Sequence, residues 1–117
     1  MAGKIIGIMF ASRDLAHKEH LKTGSYAQHV ALGSFYEEVV SMSDKLAETY
    51  QGRHGVIKDI PVITLKGGSN IADKLSKMMD MIEADRVTYG NDTPIQNIID
   101  EIVGLYLTTL YKLRTLK

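Results

Sequence analysis

Residues 15–52 read LAHKEHLKTGSYAQHVALGSFYEEVVSMSDKLAETYQG, and this stretch decides the fold. A helix carrying His17 and His20 runs out at Lys22-Thr23-Gly24, and a second, long helix starts near Ser25. Ser25-x-x-Gln28 is a capping box, the pattern that opens a helix by satisfying its first N–H groups. A connection this short makes the two helices antiparallel neighbours and brings His20 and His29 together at one end of the hairpin. Asp44 and Glu48 lie near the far end of the second helix. Histidine and carboxylate are the side chains that hold a divalent or trivalent metal. His29 and Asp44 are 15 residues apart, so on one straight helix they lie ~22 Å apart at a rise of ~1.5 Å per residue. One ion cannot touch both within a chain. A shared ion requires a second copy of the helix, antiparallel across a two-fold axis centred near Tyr36 and Glu37.

The pattern continues in both directions. Helix A covers about residues 3–22, with Ile5, Ile8, Met9, Ser12, Leu15 and Ala16 on one face at helical period. His20 sits at the edge of that face, and His17, further round beside Arg13, reads as solvated. Helix B runs from Ser25 to about Gln51 and ends at Gly52. Its core stripe is Leu32, Phe35, Val39, Met42, Leu46 and Tyr50. A flanking stripe carries His29, Gly33, Glu37, Asp44 and Glu48, with Gly33, Val40 and Ala47 small enough to admit a second helix. Residues 52–69 break the period but hold Val56, Ile57, Ile60, Val62, Ile63 and Leu65, so they read as a long crossover packed on the helices. Pro61 argues against one long helix there and leaves a short helix or an extended piece. Helix C, capped by Ser69 or Asn70, runs to about Thr88 and presents Ile71, Leu75, Met78, Met79 and Ile82. Met78, Met79 and Met81 read as adaptable core filler. After the turn Gly90-Asn91-Asp92, Thr93-Pro94-x-Gln96 is a second capping box opening helix D, which reaches about Thr115. Its inward stripe is Ile95, Ile98, Ile99, Ile102, Tyr106, Thr109, Leu110 and Leu113. Four amphipathic helices with two short turns and one long link predict an all-α fold, a single four-helix bundle over residues 1–117 with a B–C crossover.

Composition narrows the function. The chain has 117 residues, enough for one domain and one core. It is 44% hydrophobic and 24% charged, which is ordinary for a soluble globular protein. It has no cysteine, which removes disulfides, thiolate metal sites and cysteine nucleophiles. Basic and acidic residues balance at fourteen each, so nucleic acid is not an expected partner. No apolar run approaches the ~18 residues that span a membrane. The first residues make a poor signal peptide, because Ser12-Arg13-Asp14 cuts their apolar run short. The expected location is the cytoplasm.

The hairpin resembles the ferritin-like proteins of the Dps type, the mini-ferritins. Its histidine at the end of helix A, histidine opening helix B, and Asp44-Lys45-Leu46-Ala47-Glu48 followed by Gly52 follow their texture. The His20-Leu21-Lys22-Thr23 stretch leading into Ser25-Tyr26-Ala27 also resembles small phage-encoded ferritin-like proteins. The resemblance implies a metal site built across a dimer two-fold. In it His20 or His17 is the first ligand and His29 the second, with Asp44 and Glu48 supplied by the other subunit. It implies iron or zinc as the metal and, with iron, a ferroxidase activity. Gly33 stands where mini-ferritins carry a further carboxylate, and Glu37 on the same stripe is the candidate replacement. Leu21 replaces their usual tryptophan, and the chain is shorter and lacks a lysine-rich tail.

The residues also have plainer readings. A histidine at a helix end caps carbonyls more often than it binds metal, and Asp44 with Glu48 is an ordinary solvated pair. Yet like charges four apart repel, and both sit where the helix dipole disfavours anions, so a cation would relieve them. His54, beside Arg53, is not counted among the ligands. The alternative function is a non-enzymatic helical homo-oligomer of the phage type that sequesters a small molecule or blocks a host protein.

Overall fold

Apolar residues at helical spacing produce four helices in the computed structural model, which describes residues 2–117. They are α1 (Lys4–Lys22), α2 (Tyr26–His54), α3 (Ile71–Asp85) and α4 (Thr93–Thr115), with a 3₁₀ turn at Arg86–Tyr89 and no strand among the described residues. The expected inward stripes meet in one core, where Ile8, Leu32, Phe35, Val39, Leu75, Met78, Ile82, Ile99, Ile102 and Tyr106 are fully buried. None of the helices is long and apolar enough to cross a membrane.

Three boundaries depart from the sequence pattern, each for a local reason. Gly52 does not end α2, because nothing crowds it and the helix carries it through to His54. Gly55 ends the helix instead, with φ of 88°, a conformation that suits glycine. Helix α3 gives way to 3₁₀ geometry after Asp85 rather than reaching Thr88. The second capping box does not form. Asp92 is the N-cap of α4, and Gln96 is drawn into a network with Arg86. The Gln96 amide donates to the carbonyls of Arg86 (2.8 Å) and Gly90 (3.1 Å), while Arg86 donates to Gln96 Oε1 (2.8 Å) and Asp100 (2.6 Å). The turn's carbonyls take the Gln96 amide, and no side chain caps the start of α4.

Helix α1 packs against α2 and α3, and α4 packs against the same two, so α1 and α4 lie across the core from each other. The short α1–α2 turn makes those helices antiparallel. Residues 55–70 then form no helix; extended, they reach at most roughly 50 Å, enough to return along a body 44 Å long. They do return. Asp59 lies against Gly3, Pro61 against Gly7, and Ile63 and Leu65 share a cleft with Ala11 and Lys18. The strap thus runs beside α1 in the same direction and delivers α3 to the end where α2 began, where Ile71 adjoins Gln28 and Leu113. Helices α2 and α3 are parallel, and α1 and α4 each run opposite to both.

The strap is held by close approach. A Cβ at Gly3 would stand 1.9 Å from the Asp59 carbonyl oxygen, and one at Gly7 2.4 Å from that of Pro61. Glycine inside a helix costs about 0.5–1 kcal/mol relative to alanine, and here it admits the strap. The backbone of residues 56–69 makes no backbone–backbone hydrogen bond among the described residues. Side-chain packing, these contacts and a hydrogen bond from the Ile57 N–H to Gln51 Oε1 (3.1 Å) hold it. Gly7→Ala should therefore destabilise the protein by about 1–3 kcal/mol through overpacking. It should also expose the strap to trypsin at Lys58 and Lys66 while the helices stay resistant. Limited proteolysis followed by mass spectrometry reads both effects.

Two tyrosines tie distant segments. The Tyr89 hydroxyl donates to the Ala2 carbonyl at 2.6 Å, joining the 3₁₀ turn to the start of α1. The Tyr106 hydroxyl, fully buried beside Phe35, donates to Ser12 Oγ at 2.7 Å. Burial raises both phenol pKa values, that of Tyr89 from 10.0 to about 12 with Asp85 and Tyr50 adding to the shift. The folded chain therefore keeps these protons to higher pH than the unfolded chain. Their contribution is intact below pH 10 and is lost as pH rises through about 12 for Tyr89. Urea midpoints measured across that window should fall steadily, and Tyr89→Phe should flatten part of the fall.

Candidate functional site

The tight turn after α1 places three histidines and a tyrosine in one cluster. Ser25 caps α2 by accepting from the Gln28 N–H at 3.2 Å, while Thr23 accepts from the Ser25 N–H and donates to the Gln28 side chain. Only half of the expected capping box forms, because Thr23 takes the other half. This packing fixes the angle between the helices and brings His20 and His29 face to face. Their ring centroids are 3.8 Å apart and their planes are tilted by 17°.

The two rings are clasped reciprocally. His20 Nδ1 lies 2.6 Å from the His29 carbonyl oxygen, and His29 Nδ1 lies 2.9 Å from the His20 carbonyl oxygen. A carbonyl oxygen only accepts, so each neutral ring carries its proton on Nδ1 and leaves the Nε2 lone pair open. The His20 carbonyl belongs to the last turn of α1, where carbonyls lack helical partners, and His29 caps it. His29 thus fills the plain capping role, His20 adds a second bond to a carbonyl in the first turn of α2, and each ring keeps its other nitrogen available.

Gly33 makes the clasp possible. A Cβ there would come within 3.1 Å of His20 Cε1 and 3.3 Å of its Nδ1. The expectation that Gly33 admits a neighbouring helix is corrected accordingly, since the His20 ring of the same chain takes that space. His17 differs from expectation too. It is half-buried, with its ring stacked on Tyr36 at 4.2 Å, and it stays 6.2 Å from the His20 ring. Tyr36 also meets the edge of His20 at 5.3 Å, and the Arg13 guanidinium lies 6.0 Å over its ring.

The carboxylates stand elsewhere. Glu37, Asp44 and Glu48 are exposed on α2, and α2 is unbroken from Tyr26 to His54. The ~22 Å between His29 and Asp44 therefore holds along the helix. Among the described residues, no group of three or more histidines and carboxylates is placed to hold a metal ion. The chain brings together His17, His20 and His29, while Asp44 and Glu48 lie roughly four and five turns further along α2 than His29. The nearly parallel rings also aim their lone pairs along nearly parallel planes.

A second polar cluster was not visible in the sequence. His54 and Arg53, in the last turn of α2, both reach Asp92 Oδ2 at 3.3 Å. Asp92 is almost wholly buried at the start of α4, and its Oδ1 has no partner. The residues are 38 positions apart, and only the antiparallel packing of α2 on α4 joins them. Its evident work is to pin the two helix ends.

An all-helical protein with a paired-histidine clasp at one end is the class that the geometry defines. The chain belongs to the family described as "Family of unknown function (DUF5856)", whose profile matches residues 20–113, from His20 through most of α4. No curated protein and no solved structure matches it.

The clasp makes a local prediction. Gly33→Ala should push His20 off His29, and His29→Ala should uncap the His20 carbonyl at a cost of about 1 kcal/mol. Nitrogen NMR of the imidazoles should report Nδ1–H tautomers for both rings in the wild type and lose that signature for His20 in Gly33→Ala.

Proposed function

We propose that this protein is a ferritin-like, self-associating helical bundle that binds a transition metal, iron or zinc, at a site shared between two copies. His20 and His29 supply imidazole nitrogens from one chain, and Asp44 and Glu48 supply carboxylates from the other. The observation that carries this reading is the clasp, with both Nδ1–H groups committed to backbone carbonyls and both Nε2 atoms open. A backbone partner on one ring nitrogen is the usual companion of metal ligation by the other. The helix order, with antiparallel α1–α2 and α3–α4 pairs and one strap spanning the body, is the connectivity of ferritin-like folds. The separation of His29 from Asp44 requires the second copy. In an antiparallel pairing centred near Tyr36 and Glu37, each His29 faces the carboxylates of the other chain. Glu37, near that centre, is the candidate for a further oxygen ligand, and His17, turned onto Tyr36, braces the cluster.

With iron bound, imidazole and carboxylate donors suit oxidation of Fe(II) by oxygen or peroxide, which makes ferroxidase activity the enzymatic extension of this reading. The parallel stacking of the rings favours the second reading, a self-associating bundle that binds no metal and acts on a small molecule or another protein.

The test measures metal and mass together. Purified protein loaded with Zn(II) or, without oxygen, with Fe(II) should retain about one metal per site. His29→Ala and Asp44→Ala should each lower affinity 10-fold or more. Light scattering should show a dimer or larger assembly, and Val40→Arg, which places a charge on the exposed face of α2, should shift it toward monomer and release the metal. Equal metal content in wild type and His29→Ala, or a wild-type monomer, would sink the shared site.

A further inference from the structure

A groove with no histidine in its lining lies between the first turns of α2 and the last turn of α4. Its volume is about 530 Å³, which falls within the range of small-molecule pockets. Its floor and walls are apolar. Tyr26 is 81% exposed, Val30 47% and Leu116 50%, with Ala27 and Ala31 between them. Tyrosine, valine and leucine left this open beside one another form a continuous apolar surface rather than scattered exposure.

The charged side chains of the groove are both basic. Lys112 and Lys117 line it, no acidic side chain does, and neither lysine side chain has an ion-pair partner among the described residues. It also opens at the start of α2. There the N–H groups of Tyr26 and Ala27 precede the first helical bonds and are free to donate, while the dipole ends of α2 and α4 oppose each other. An apolar trough with cations at its rim fits a molecule with an apolar tail and an anionic head.

Size decides between a small molecule and a protein segment. From Tyr26 to Ser34 the groove runs eight residues of helix, roughly 12 Å. A stable protein contact needs about 800 Å² from each partner, far more than this trough offers. We propose that the groove binds a single-chain amphiphilic carboxylate, a fatty acid, with its alkyl chain on Tyr26, Val30 and Leu116. Lys112, Lys117 and the start of α2 hold its carboxylate. The proposal uses none of the histidines and stands apart from the metal reading.

Calorimetric titration of the full chain with dodecanoate, below its micellar concentration, tests it. The expected result is saturable binding of about one molecule per chain. Dodecyltrimethylammonium should bind at least ten times more weakly. Val30→Glu and Ser34→Trp, which charge or fill the trough at exposed positions, should each weaken dodecanoate binding at least tenfold with the helical circular dichroism unchanged. The double variant Lys112→Glu, Lys117→Glu should weaken dodecanoate binding while leaving dodecanol unaffected. Absence of saturable binding, equal affinity for the cationic amphiphile, or full affinity in Ser34→Trp would overturn the proposal. So would light scattering in which Val30→Glu splits a wild-type oligomer, because the trough would then be covered by a second copy.

Discussion

The carbonyl oxygens of Asp59 and Pro61 rest directly on the backbone of α1, and the rest of the arrangement depends on that contact. A side chain at Gly3 or Gly7 would hold the strap away from the helix. The strap could then no longer follow α1 back along the body, and α3 would lose its place beside α1. An antiparallel α2–α3 connection would need only a short turn, yet the chain spends sixteen residues to make the two parallel. The glycines sacrifice some helix propensity in α1 and gain a route for the chain. The apolar side chains of Ile57, Ile63 and Leu65 then complete the core's flank without any backbone ladder.

The helices were legible in the sequence because their signal is periodic and local. Ile98, Ile99, Ile102 and Tyr106 announce an inward face from spacing alone, and all four are buried. The boundaries were less legible where two chemistries compete for one group. Gln96 is an acceptable capping-box residue by spacing, but the Arg86 and Gly90 carbonyls claim its amide. Gly52 looks like a terminator, but termination depends on backbone conformation, and Gly55 adopts the positive φ. The strap's role was only half legible. Its apolar content signalled packing, while Gly3 and Gly7, though four apart on one face of α1, do not by themselves say what lies against them.

The candidate site divides the same way. The proximity of His20 and His29 followed from the length of the turn, a purely geometric inference. Their mutual hydrogen bonds did not, because they depend on how each ring is rotated. Gly33 shows how one residue can suggest two interactions, and only the position of the His20 ring decides between them. His54 and Asp92 could not be paired from sequence at all, since each is unremarkable in its own segment.

The buried Tyr106–Ser12 hydrogen bond has a consequence for register. Apolar stripes alone let neighbouring helices slide along one another by a turn and bury nearly the same area. Tyr106 on α4 reaches Ser12 on α1 across the core, and both are wholly enclosed. A slide of one turn would part the two hydroxyls and leave each facing hydrocarbon, at a cost of about 1–3 kcal/mol. One pair of oxygen atoms in an otherwise oily interior thus acts as a latch that stops α4 from sliding past α1.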